Sequence, residues 1–296
     1  MAKWTAADIP EQSGRTAIVT GANSGIGLVT ARELARAGAR VIMACRNVAK
    51  GETAAESVPG DVEVRALDLT DLKSIHAFAD SVTDDIHLLV NNAGVMATPH
   101  RRTADGFELQ FGTNHLGPFA LTGLLLPRVR DRGVTVSSAV HWVGRINLDD
   151  LNWERRRYFR WPAYAQSKLA NLLFILELSR RLSAAGSPLR ATAAHPGYAS
   201  TNLQSHTESM QDQVMALGNR LIAQSAAMGA LPTLYAATAD IPSGGFAGPG
   251  GVTGQHGHPK LVSSSRSAKN PAVAKALWTR SEELTGVTYD LAKSGT

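Results

Sequence analysis

The chain has one cysteine, Cys45, in 296 residues. No disulfide can close within it, which removes the stapled secreted scaffolds and fits a reducing cytosol. No uninterrupted apolar run approaches the ~18 residues that a membrane-spanning helix needs. Residues 119–126 are apolar, but the run is short and meets Pro127, so it reads as a core helix. Residues 1–14 are a polar extension without an apolar signal core, and the expected location is cytoplasmic. The nine histidines show no metal-ligand spacing. His256 and His258 share a glycine-rich loop without partner ligands, so no metal is expected. Charge of one sign is also scarce, with a net charge of only +5. One dense basic run, Arg155-Arg156-Arg157-Tyr158-Phe159-Arg160, stands without neighbouring basic clusters or a nucleic-acid motif. Nucleic acid is therefore excluded as the main partner.

What is present is a regular alternation of short apolar runs and longer helical patterns. Strands are expected at 16–20, 40–44, 62–67, 86–90, 134–137 and 191–194. Helices are expected at 26–37, closed by Gly38, at 48–57, and at 72–82 with Thr70 or Asp71 as its cap. Runs that are apolar on both faces, separated by helices, need cover on both sides of a sheet. The pattern predicts one α/β domain over 15–290, a doubly wound Rossmann-type parallel sheet of about seven strands with helices on both faces. The Gly/Pro/Ser-rich stretch 242–259 reads as a loop inside that domain, and 271–284 as a final helix.

The first strand runs into Thr20-Gly21-Ala22-Asn23-Ser24-Gly25-Ile26-Gly27, and a helix follows. Gly21 permits a tight turn, Gly25 lets the backbone approach a pyrophosphate, and Gly27 lets the helix pack on the strand. The helix N-terminus presents free N–H groups and the positive end of its dipole to the anion. At the end of the second strand an acidic residue would bind a ribose 2′-hydroxyl and repel a 2′-phosphate. Here the strand ends Met43-Ala44-Cys45-Arg46. The carboxylate is missing and Arg46 can form charge-assisted bonds to a phosphate, so NADP(H) is expected over NAD(H). Tyr164 and Lys168, four residues apart, share one face of a helix. The ammonium is expected to favour the phenolate of Tyr164, suiting it to general acid–base work. Ser138 ends the fifth strand, where open α/β sheets place ligands, with Ser137 as a competitor.

The spacing TGxxxGxG resembles that of the short-chain dehydrogenase/reductase family, and the resemblance runs from about residue 15 to 284. Asn91-Asn92-Ala93-Gly94 follows strand four, Asn114 lies in the next helix, and Tyr164 to Lys168 form a YxxxK signature. Pro196-Gly197 with Thr201 is similar to the family's PGxxxT. Ala44-Cys45-Arg46-Asn47 and Asn114-His115-Leu116-Gly117 look more narrowly like the retinol-dehydrogenase-like and WW-domain-oxidoreductase-like branch.

The resemblance implies an oxidoreductase that moves a hydride between a nicotinamide and a carbonyl or alcohol substrate. It makes Ser138, second of the pair, the active serine, and Asn114 the holder of a water that links Lys168 to bulk solvent. It implies cofactor contacts at Gly21, Asn23, Ser24, Gly25, Ile26, Gly27, Arg46, Asn47, Asp68, Leu69, Asn91, Ala93, Gly94, Tyr164, Lys168, Pro196, Gly197 and Thr201. Residues 198–228 would cover the substrate. Tyr164 stands 26 positions beyond Ser138, about twice the family's usual gap. The extra segment 140–161, rich in tryptophan and arginine, is either a wall for a bulky apolar substrate or a surface elaboration. Leu169, Leu172, Leu173 and Leu176 form a stripe that either core burial or a homo-oligomer interface would explain. The alternative function is a non-catalytic nucleotide-binding sensor or scaffold, which would dispense with Tyr164, Lys168, Ser138 or Asn114. An extended nucleotide-sugar epimerase would want a different glycine spacing and a longer C-terminal domain.

Overall fold

The computed structural model describes residues 3–197 and 225–291. Eight strands form one sheet: β1 (Thr16–Thr20), β2 (Arg40–Cys45), β3 (Val62–Ala66), β4 (Ile86–Asn91), β5 (Val129–Val136), β6 (Arg190–Ala194), β7 (Phe246–Pro249) and β8 (Pro259–Leu261). Their order is β3-β2-β1-β4-β5-β6-β7-β8, parallel except for β8, which runs antiparallel to β7 at the edge. β1 pairs with β2 from Thr16↔Arg40 to Thr20↔Ala44 and with β4 from Ala17↔Leu88 to Val19↔Val90. The strand order reverses between these neighbours, which leaves a crevice beyond the carboxyl ends of β1 and β4.

Among the described residues seven longer helices cover the sheet: α1 (Gly25–Arg36), α2 (Val48–Ala55), α3 (Leu72–Ser81), α4 (Gly117–Leu125), α5 (Arg160–Ala184), α6 (Ala226–Thr238) and α7 (Pro271–Thr285). Alternate residues of β1 serve opposite faces. Ala17 and Val19 pack with α1 and α6, while Ile18 packs with α3 and α4. Burying one such Ile side chain contributes ~1.5–3 kcal/mol. α5 buries Leu169, Leu172 and Leu173 against Phe119 and Trp278, so the core accounts for most of the leucine stripe. The N-terminal extension joins the core too: Ile9 is buried, and Trp4 packs edge-on to Tyr235 at 5.3 Å. Among the described residues no helix is long and apolar enough to cross a membrane.

Two expectations need correction. Among the described residues there are eight strands where about seven were expected, and the stretch 242–259 is not simply a loop, because it contains β7 and ends at the start of β8. Glycine hid β7. A Cβ at Gly248 would meet the His195 ring, with Cδ2 at 2.6 Å, so the strand stays bare where an imidazole lies on it. β5 also begins at Val129 rather than at 134, through Arg130, Asp131 and Arg132. These charges have partners. Asp131 pairs with Arg15, Arg132 and Arg190, and the buried Arg132 donates from Nη1 to the Ala236 and Ala239 carbonyls at 3.0 and 2.9 Å.

Candidate active site

A cleft of about 1210 Å³ opens at the carboxyl ends of the strands. Its floor is the turn between β1 and α1. Gly21 and Gly25 hold left-handed φ angles of +66° and +56°, which disfavour any side chain. A Cβ on Gly21 would touch Ala93 at 3.0 Å, and one on Gly27 would stand 2.5 Å from Asn92 Nδ2. Thr20 ties the two turns together, since its hydroxyl accepts from the Asn92 and Ala93 N–H groups, both at 3.0 Å. Ser24 is the N-cap of α1 but makes no side-chain cap bond. The first turn of the helix is therefore left open toward the cleft, as an anion site requires. Asn23, Ser24, Gly25, Ile26 and Gly27 all line this region.

One wall comes from the ends of β2 and β3. Arg46 and Asn47 are exposed there. Asn47 Oδ1 caps α2 by accepting from Lys50 N at 2.9 Å. Asp68 Oδ1 accepts from Thr70 N at 2.9 Å and Thr70 Oγ1 at 2.7 Å, while Asp71 is the actual cap of α3. Asp68, Leu69, Ala93, Gly94, Pro196 and Gly197 also face the cleft.

The opposite wall carries the reactive side chains. Tyr164 and Lys168 sit one turn apart on α5, both about 4% exposed, with Lys168 Nζ 5.8 Å from the Tyr164 ring centroid. Lys168 Nζ donates to the Val136 carbonyl at 3.1 Å. Among the described residues that is its recorded acceptor, so two of its three N–H bonds remain for the cleft. Burial pushes the Lys168 ammonium down to about 8. Burial likewise pushes the Tyr164 phenol up to about 12, and the Ser138 hydroxyl beside it pulls the other way. The phenol was expected to be drawn toward the phenolate, and burial instead holds it protonated in the cleft as it stands.

The two serines separate clearly. Ser137 is buried and its hydroxyl donates to the Lys168 carbonyl at 2.7 Å. Ser138 is half-buried, caps the short helix Ala139–Val143, and leaves its hydroxyl beside Tyr164.

Two predicted residues lie behind the cleft, not in it. Asn91 points its side chain at Thr122 Oγ1, 2.9 Å away, and the next residue, Asn92, lines the cavity. Asn114 sits in a π turn, Gly112–Leu116, between the helical turn Leu109–Phe111 and α4. Its amide clamps Val95 by accepting from N at 2.7 Å and donating to O at 2.9 Å, and it also donates to Ser167 Oγ at 2.9 Å. A Cβ on Gly94 would meet Asn114 Oδ1 at 2.9 Å and Lys168 Nζ at 3.5 Å, so a glycine keeps this corner open. Thr201 and residues 198–224 of the expected cover lie outside the described residues.

The segment 140–161 is held to the domain at several points, Arg156 and Tyr158 among them. Arg156 stacks 3.5 Å over the Trp153 ring and donates to Gln166 Oε1 at 2.6 Å. Tyr158 OH donates to the Thr98 carbonyl at 3.0 Å. Trp142, Phe159 and Trp161 remain 58, 51 and 44% exposed, and Trp161 lines the cleft.

The features of this cleft can be set beside known proteins. The family model for short chain dehydrogenase matches residues 15–212. The chain belongs to the short chain dehydrogenase family. Human retinol dehydrogenase 13 is 42% identical over 291 residues, covering 93% of this chain and 85% of its own. Human retinol dehydrogenase 12 is also 42% identical, over 94% of this chain and 88% of its own. A crystal structure of an uncharacterised protein from Mycobacterium paratuberculosis has a TM-score of 0.86 and 56% identity, covering 97% of this chain and 99% of that one. As a short chain dehydrogenase, the protein is an oxidoreductase of alcohols or carbonyls that uses a nicotinamide dinucleotide. The open helix end, the bare glycine turn and the two N–H bonds of Lys168 that take no acceptor among the described residues fit such a group.

Proposed function

We propose that the protein transfers a hydride between NADP(H) and a bulky, apolar alcohol or carbonyl compound. The observation that carries this reading is the meeting of Tyr164, Lys168 and Ser138 across one cleft from the glycine turn. The nicotinamide would supply or accept the hydride. Gly21, Gly25 and the first turn of α1 would hold its pyrophosphate. Arg46 would receive a 2′-phosphate, since β2 ends without a carboxylate. Lys168 would bond the nicotinamide ribose. In reduction Tyr164 gives its phenolic proton to the substrate oxygen, and Ser138 donates a hydrogen bond as negative charge develops there. In oxidation the same phenol oxygen receives the proton.

The exposed ring of Trp161, which lines the cleft, supports a large apolar substrate. The names of the retinol dehydrogenases support the same class, a long apolar primary alcohol or its aldehyde. A panel of apolar aldehydes, ketones and alcohols, followed by NADPH absorbance, tests the reading. Substitution Tyr164→Phe should cut turnover by roughly 10²–10⁴-fold, the range of a lost general acid. Substrate-dependent turnover that survives Tyr164→Phe would remove the assigned proton donor.

A further inference from the structure

We propose that His141 is the positioning residue of the active serine, locking the Ser138 main chain through a ring of fixed tautomer that also grips the Ser265 loop. The proposal rests on the reading of Ser138 as the hydroxyl that meets the substrate oxygen.

His141 lies on the short helix that follows β5 and is only 1% exposed. The Ser138 carbonyl receives two N–H groups from this one residue. The His141 main chain donates at 3.1 Å, and ring Nδ1 lies 2.7 Å from the same oxygen. On the other side of the ring, the Ser265 main-chain N–H donates to Nε2 at 3.2 Å. A main-chain N–H can only donate and a carbonyl can only accept, so Nε2 carries the lone pair and Nδ1 the proton. The opposite tautomer would set two donors against each other at Ser265 and two acceptors at Ser138. Burial holds the His141 ring below the usual histidine range, which keeps it neutral. The ring is wedged edge-on to Phe246, with centroids 5.5 Å apart at 85°.

With both lone pairs of its carbonyl filled, the peptide after Ser138 cannot rotate without breaking two bonds. The hydroxyl is thereby kept beside Tyr164. The brace reaches the C-terminal part of the chain, because Ser265 Oγ in turn accepts from Ala268 N in the short helix Ser267–Lys269 at 3.2 Å. An alcohol group held to within tenths of an ångström is worth more in the transition state than one that wanders.

Two variants separate the two ends of the ring. In His141→Asn an amide nitrogen can stand where Nδ1 stood and keep the bond to Ser138. In His141→Gln the amide reaches the Nε2 position and keeps the Ser265 bond instead. His141→Asn should hold kcat within about threefold, and His141→Gln should lose at least about tenfold in kcat, or ~1.4 kcal/mol of barrier. The Kd for NADPH, read by fluorescence titration, should be unchanged in both. Wild-type kcat in His141→Gln overturns the proposal, and so does an equal loss in both variants. A second measurement needs neither turnover nor a variant. The 15N shifts of His141 in the wild-type protein should report an Nδ1–H tautomer at neutral pH, and an Nε2–H tautomer or an imidazolium overturns the proposal. If the wild-type protein reduced no carbonyl at all, the proposed function would fail while the tautomer still decided the brace.

Discussion

Gly27 is the position where a single methyl group reports most sharply on the dinucleotide turn. A Cβ there would stand 2.5 Å from Asn92 Nδ2, where real Cβ contacts are essentially never below 3.0 Å. It would stand closer still to the Gly21 carbonyl oxygen. Asn92 cannot simply swing away, because the same Nδ2 donates to the Thr20 carbonyl at 2.9 Å. Gly27→Ala therefore forces a shift of at least half an ångström (roughly 0.5 Å, within the scale of core overpacking) between α1 and the β1 turn. Overpacking of this kind costs ~1–3 kcal/mol. At ~2–4 °C per kcal/mol, the thermal midpoint should fall by roughly 2–12 °C. The shift also moves the open helix end away from the pyrophosphate. Losing ~1.4 kcal/mol of that interaction raises the Kd for NADPH tenfold. Calorimetry gives the first number and fluorescence titration the second. Gly133→Ala serves as control, since a Cβ there meets nothing within 4 Å. A folded Gly27→Ala protein that binds NADPH as tightly as wild type would refute the placement of the pyrophosphate.

Three further outcomes follow from the same geometry. Arg46→Ala should weaken NADPH binding by roughly 5–30-fold, about 1–2 kcal/mol of charge-assisted bonding at an exposed site, and leave NADH binding unchanged; retained preference for the phosphorylated form would remove Arg46 from the ribose site. Lys168 titrates at about 8 when folded, against an ordinary value of 10.5, so between these values the unfolded chain holds a proton that the folded chain has lost. Stability of the ligand-free protein should therefore rise with pH across that window, and Lys168→Met should remove that contribution to the slope in thermal melts compared at about pH 7.5 and about pH 9.5. Trp161→Ala should raise KM for a long apolar aldehyde several-fold more than for a short one; equal effects on both would make the aromatic rim a surface feature.

Much of this site was legible in the chain because phosphate loops and proton donors need particular residues at fixed spacing. The glycine turn, Tyr164, Lys168 and Ser138 line one cleft, as their spacing implied. The misses share a cause, which is that partners distant in sequence decide what a residue does. Arg130, Asp131 and Arg132 stand before the expected strand start at 134, yet they form strand, with Arg15 and Arg190 pairing with Asp131 from other strand ends. Gly248 reads as loop, yet it pairs in β7 because His195 lies over it. Asn91 and Asn92 are indistinguishable by type, and strand alternation sends the first to Thr122 and the second to the cleft. His141 gave no spacing signal of its own. Its position three residues after Ser138, one short turn away, was the available clue.

The central claim is that the phenol on α5 and the turn after β1 serve one hydride transfer. Reduction of an accepted carbonyl substrate with NADPH deuterated at the nicotinamide C4 position, followed by mass spectrometry of the product alcohol, measures this directly. The account predicts one deuterium on the former carbonyl carbon and loss of that product in Tyr164→Phe. A product carrying no label from either C4 face, or full labelling in Tyr164→Phe at the wild-type rate, would contradict it.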